Sequence, residues 1–164
     1  PWWAGVAAIL TPDPDSILVI RRAERADDPW SGHVGLPGGR HDLADPDLLA
    51  TAVRETREEV GVTLPPESLL GALGDVHPRT PLRRQVAVRP FVFALPVRPP
   101  VTLNGEVAGT HWIELQQLRA QGVYRQTLFP IRGEQRLFPA YHVGGLLIWG
   151  LTERILTPLL SIIY

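Results

Sequence analysis

A chain of 164 residues with 45% hydrophobic content suits one domain, 1–164, with a sizeable core. A formal net charge of -1 and a pI near 6.6 leave no broad basic surface for generic nucleic-acid binding, and the absence of cysteine excludes disulfides and thiolate chemistry. Every basic residue is Arg, a bias that a GC-rich coding sequence explains and that also suits phosphate through the guanidinium fork.

The N-terminus lacks a basic region ahead of an apolar run, so no secretory signal is read and a cytoplasmic location is expected. With no methionine and Pro1 first, an initiator and a short leader are expected to have been lost. In chain order, 6–10 and 17–20 read as strands joined by a Pro-Asp turn over 11–16. Gly38-Gly39 after Pro37 allows a close backbone approach to a ligand, or simply ends a strand. A helix follows, with Asp45 as N-cap, Pro46 at its first position, Asp47 in its first turn, and Gly61 as C-cap ahead of Pro65-Pro66.

That helix has two faces. Leu49, Ala52, Val53, Thr56 and Val60 form a stripe that can pack on a sheet. Glu55, Glu58 and Glu59 occupy i, i+3 and i+4, which puts three carboxylates on one outward face within about 6 Å of each other. Such crowding repels unless a divalent metal intervenes, and hard magnesium prefers carboxylate and phosphate oxygens. The alternative is an ordinary solvated helix face.

Strands are then expected over 69–74, 85–95 and 107–113, a short helix over 114–121, and a last strand over 137–142. Residues 143–151 read as a buried strand or turn leading into a core-packing helix; Glu153 and Arg154 interrupt the apolar run, which is too short to span a membrane. Pro158 is expected to end or kink that helix. Leu159, Leu160, Ile162 and Ile163 favour burial in their own core, with a homodimer interface as the alternative. This mixture of elements suits an α/β fold with a central mixed sheet covered on both faces.

Gly39, Arg54, Glu55, Glu58, Glu59, Gly61 and Val62 resemble the box of the Nudix hydrolases: a Gly, five residues, Glu, seven residues, then Arg-Glu-aliphatic-x-Glu-Glu-x-Gly-aliphatic. The interval from Gly39 to Arg54 is one residue longer, and Asp45 or its neighbourhood stands for the upstream Glu, which reads as a loop insertion. The coenzyme A pyrophosphatase branch of that superfamily carries the same longer spacing and an Asp. Gly32, four residues before Leu36, and Leu147-Ile148-Trp149-Gly150-Leu151-Thr152 also match that branch, whereas Asp28 stands where the branch has an Arg.

The resemblance implies an α/β/α sandwich, Mg2+ as cofactor with Mn2+ as its substitute, and ions held by Glu55, Glu58 and Glu59. It also implies a ligand from the Gly38 carbonyl and orientation of a glutamate by Arg54. A further carboxylate from the far half of the fold is expected, and Glu106, just before the strand over 107–113, is the candidate fourth ligand or general base. Arg79 and Arg84, beside Arg83 in a Pro-rich loop, are candidate diphosphate contacts, and Arg22 and Arg40, which flank the metal loop, are further substrate-binding candidates. None of the histidines has metal-ligand spacing, and only His33 lies near the Gly loop; Trp30 and Tyr141 either stack a base or pack the core. The expected function is hydrolysis of a phosphoanhydride in a nucleoside diphosphate linked to another group, a coenzyme A-like substrate first. The alternatives are a nucleoside triphosphate hydrolase and a non-catalytic nucleotide-sensing module. The expected partner is a nucleotide-type small molecule, without nucleic acid or membrane.

Overall fold

The apolar runs 7–9 and 17–20 have no solvent exposure on either side of the strand, so the strands that carry them must be covered by two layers. The computed structural model, which describes residues 2–24, 33–78 and 85–164, shows both layers. In chain order the elements are β1 (Trp2–Thr11), β2 (Ser16–Arg22), β3 (Val34–Gly35), β4 (Gly38–Arg40), α1 (Leu48–Val60), β5 (Leu69–Ala72) and β6 (Val86–Ala94). They continue as β7 (Val107–Glu114), α2 (Leu115–Arg119), β8 (Tyr124–Ile131), β9 (Glu134–Val143), β10 (Leu146–Ile148) and α3 (Leu151–Ile163).

The main sheet has the order β3-β2-β1-β6-β5, with β4 also on β1 and β7 also on β2. It is mixed: β1 and β6 run parallel from Trp2 opposite Val86 to Leu10 opposite Ala94, and the other pairings are antiparallel. Alternation along β1 and β2 sends Ala7, Ile9, Leu18 and Ile20 to one face, where they meet Ala52 and Val60 of α1. Ala8, Ile17 and Val19 face the other way, against Ile155, Leu156 and Leu159 of α3 and Tyr141, Val143 and Ile148 of the second sheet. A mixed sheet covered on both faces is thus what the alternation of elements in the sequence anticipated.

Helix α1 lies close to β1 because Gly5 lacks a side chain. A Cβ at Gly5 would sit 2.4 Å from the Leu48 carbonyl oxygen, so only glycine lets the helix settle over that strand. The helix ends as expected at Gly61, at φ 70, whose N–H donates to the Arg57 carbonyl at 3.0 Å. Its start differs from expectation. Asp47, not Asp45, is the N-cap and accepts the Ala50 N–H at 2.8 Å, which leaves Pro46 outside the helix. The Asp45 carboxylate is already taken by Arg54 and Thr51.

The second sheet, β10-β9-β8, exceeds the single strand expected over 137–142. Arg132 and Gly133 both have positive φ between β8 and β9, and so do Gly144 and Gly145 between β9 and β10, the backbone that two-residue hairpin turns require. Of the two outcomes expected at Pro158, an end or a kink, the end is excluded: α3 runs through it to Ile163. The ring stands on the exposed face, where water can satisfy the Arg154 carbonyl that loses its helical donor. Leu159 is buried in the core, whereas Ile162 is 70% exposed. Among the described residues no helix is long and apolar enough to cross a membrane.

Candidate metal-binding site

The site forms where β4 meets the middle of α1. Gly38 has φ 153, and a Cβ there would lie 2.4 Å from the Gly5 carbonyl oxygen. Gly39 faces α1, and a Cβ on it would come within 2.6 Å of the Glu55 carboxylate carbon. Gly39 therefore clears the space that Glu55 occupies, and Gly38 lets β4 lie close against β1. Gly39→Ala is expected to displace Glu55 and weaken Mn2+ binding by about tenfold, as outer-shell changes commonly do. Calorimetric titration checks this, and parent-like affinity would remove Glu55 from the ligand set.

Glu59 lies deepest, only 1% exposed. The Gly38 N–H donates to its Oε1 at 2.8 Å, and Arg22 Nη1 stands 3.8 Å from its Oε2. Burial pushes its carboxyl up to about 7 against the pull of the Gly38 N–H and Arg22, and Glu55 and Glu106 push the same way as burial. Burial also raises Glu55. Glu106 arrives from the other half of the chain, at the turn before β7, through the β2–β7 register that sets Val107 opposite Arg22. Its carbonyl accepts the Ala23 N–H at 2.9 Å. One oxygen each from Glu55, Glu59 and Glu106 lies within 4.8 Å of the others.

Arg54 organises the outer edge. Its Nε and Nη2 donate to the two oxygens of Asp45 at 2.8 and 2.9 Å, a bidentate pair. Its Nη1 donates to Glu55 at 3.0 Å and to Glu58 at 3.1 Å, and Nη2 also reaches the Arg40 carbonyl at 3.4 Å. Arg54 holds the Asp45 carboxyl well below the usual carboxylate range, and Asp45 in turn raises the guanidinium.

Several sequence expectations change here. The three helical glutamates do not share one outward face. Glu59 turns in toward the Gly loop, while Glu58, half exposed, turns to Arg54 and stands outside the convergent group. The helix phase set by Gly5 decides this, since adjacent residues on a helix point about 100° apart. Glu106 and Arg22 do join Glu59. Arg40 sends its guanidinium over the Trp2 ring, 4.9 Å from the centroid, so only its carbonyl meets the site. Tyr141 is a buried core residue whose hydroxyl pairs with Thr157 at 2.7 Å, and His33 sits 5.6 Å from the Trp149 ring. Arg79, Arg84 and Trp30 lie outside the described residues. Asp45, read from sequence as a helix cap, is instead the partner of Arg54; the signal was its place at the acidic position of the box.

The sequence profile of the NUDIX domain matches residues 1–130. An uncharacterized protein of Schizosaccharomyces pombe, C14C4.10c, is 38% identical over 107 residues, 62% of this chain and 32% of that protein. Mitochondrial coenzyme A diphosphatase NUDT8 of Homo sapiens is 32% identical over 158 residues, 89% of this chain and 64% of its own length. The uncharacterized Nudix hydrolase NudL of Photorhabdus laumondii is 31% identical over 156 residues, 92% of this chain and 80% of its own. The chain thus spans from about a third to four fifths of the length of these relatives. Among solved structures, a MutT/nudix family protein from Enterococcus faecalis superposes with a TM-score of 0.69 at 17% identity, over 99% of this chain and 62% of that one, a likeness of fold. With Glu55 and Glu59 of the box gathered beside its double glycine and the domain profile covering most of its length, the chain belongs to the Nudix hydrolase superfamily.

Proposed function

We propose that the protein hydrolyses a phosphoanhydride within a diphosphate bridge that links a nucleoside to another group, with a coenzyme A-like molecule as first substrate. The observation that carries this reading is the convergence of Glu55, Glu59 and Glu106 within 4.8 Å beside Gly38-Gly39. Three hard carboxylate oxygens, with no thiolate anywhere in the chain, fit Mg2+, with Mn2+ as a substitute. When bound, such an ion supplies neutralisation of the diphosphate oxygens and acidification of a water. Glu55 and Glu59 are its ligands from the helix, Glu58 completes the set from the rim, and the Gly38 carbonyl adds a backbone oxygen. Glu106 serves as fourth ligand or as base toward the attacking water. Arg54 fixes the direction of Glu55 and Glu58, and Arg22 sets Glu59. Arg79 and Arg84 are proposed to grip the diphosphate.

The coenzyme A preference rests on the relation to the human coenzyme A diphosphatase and on the longer spacing that carries Asp45. Incubation with Mg2+ and coenzyme A, a dinucleotide, a nucleotide sugar or nucleoside triphosphates, followed by product mass, tests it. The expected result is two phosphomonoester products whose masses add to substrate plus one water. Release of pyrophosphate from triphosphates alone would replace the substrate class, and no turnover of any of them would favour a nucleotide-sensing module.

A further inference from the structure

The Arg54 guanidinium can aim Glu55 only if Asp45 is itself immobile, and Asp45 lies on an irregular stretch between β4 and α1. Four donors surround its carboxylate. Arg54 supplies two, the Asp42 N–H reaches Oδ2 at 3.0 Å, and the Thr51 hydroxyl reaches the same oxygen at 2.8 Å. Thr51 is fully buried on the first turn of α1. Its hydroxyl has one hydrogen, and the charged Asp45 oxygen at 2.8 Å outcompetes the Asp47 carbonyl at 3.2 Å. The Thr51 oxygen is then left as acceptor for His41 Nδ1 at 2.9 Å, so that nitrogen carries the proton. His41 is anchored in turn, its backbone N–H donating to the Trp3 carbonyl of β1 at 2.8 Å.

We infer that Thr51 and His41 are positioning residues of the metal site, forming a hydrogen-bonded chain from β1 through Asp45 to Arg54 that sets the direction of Glu55 and Glu58. The chain runs from His41 Nδ1–H to Thr51, from the Thr51 hydroxyl to Asp45, and across the Asp45 fork to Arg54. The loop between β4 and α1 carries the short Asp45 side chain to Arg54. The turn that does so is closed by the Asp45 N–H on the Asp42 carbonyl at 2.9 Å and the Ala44 N–H on Asp42 Oδ1 at 2.8 Å. A short acid on an irregular loop needs a lateral hold, which Thr51 supplies from the rigid helix. The inference rests on the proposed metal site.

Mn2+ binding to the whole protein, titrated by calorimetry without nucleotide, reads this out directly, with urea unfolding measured in parallel. Thr51→Val keeps the shape and removes the hydroxyl, and is expected to weaken Mn2+ by about tenfold, the low end for outer-shell partners. Thr51→Ser restores the hydroxyl and should return affinity to within about twofold of the parent even if stability falls. His41→Ala should weaken Mn2+ by about threefold, and His41→Asn, whose amide can donate from the Nδ1 position, should recover it. Parent-like affinity in Thr51→Val and His41→Ala, with only stability changed, would overturn the positioning role. So would equal losses in the Val and Ser variants. Glu59→Gln in the same assay separates the two readings: if it binds Mn2+ as the parent does, the metal site fails and the chain of hydrogen bonds with it.

Discussion

Glu59→Gln is expected to lower turnover at least about a hundredfold while making the metal-free protein more stable at pH 8. The first effect follows from removing a charged oxygen at the centre of the carboxylate group. The second follows from burial. In the metal-free protein Glu59 is lifted from its ordinary 4.5 to about 7, so the folded state holds a proton that the unfolded chain gives up earlier. Stability from this group is therefore complete below about pH 4.5 and is lost progressively as pH rises through 7. The full loss corresponds to about 3 kcal/mol, and a neutral Gln avoids it. Denaturation in chelator at pH 5 and pH 8 should show the parent weakening with pH and the variant much less so. Added Mg2+ should stabilise the parent more at the higher pH, where its carboxylates are free of protons. An active Gln variant would remove Glu59 from the site, and a parent indifferent to pH would show that Glu59 ionises freely without metal.

Arg54→Lys should cost on the order of a hundredfold in kcat with a smaller change in KM, because the loss falls on the geometry of the glutamates rather than on the grip on substrate. One guanidinium binds Asp45 through two nitrogens and Glu55 and Glu58 through a third. An ammonium is a point donor on a flexible stem and cannot hold that fork, although it retains the charge that keeps Asp45 from standing unpaired. The folded state should therefore survive, which circular dichroism and a cooperative unfolding transition would register. Turnover within about threefold of the parent would mean that Arg54 only balances charge.

Much of this was legible in the chain itself. Arg54-Glu55 and Glu58-Glu59-Val60-Gly61 mark the functional helix and its end, because the spacing of acids on a helix and the left-handed glycine cap are local properties. The strands over 6–10 and 17–20 and the mixing of strands with helices along the chain pointed to a mixed sheet covered on both faces. Local rules failed where distant groups competed for the same atoms. Asp45 has the composition of an N-cap, yet Arg54 and Thr51 claim its oxygens and Asp47 caps the helix. The polar, proline-containing strand β8 carries little apolar alternation and is drawn into the sheet by its hairpin with β9.

By itself, then, the sequence determined the family, the glutamate-bearing helix and the two-sided sheet, all of which rest on residues close together in the chain. Only the tertiary structure decided that Glu59 faces inward and Glu58 outward, that Glu106 completes the group, and that Asp45, Thr51 and His41 brace Arg54. The reason is geometric. The rotation of α1 is set by its close seat on Gly5, and Glu106 is delivered by the pairing of β7 with β2, two relations that no stretch of consecutive residues encodes.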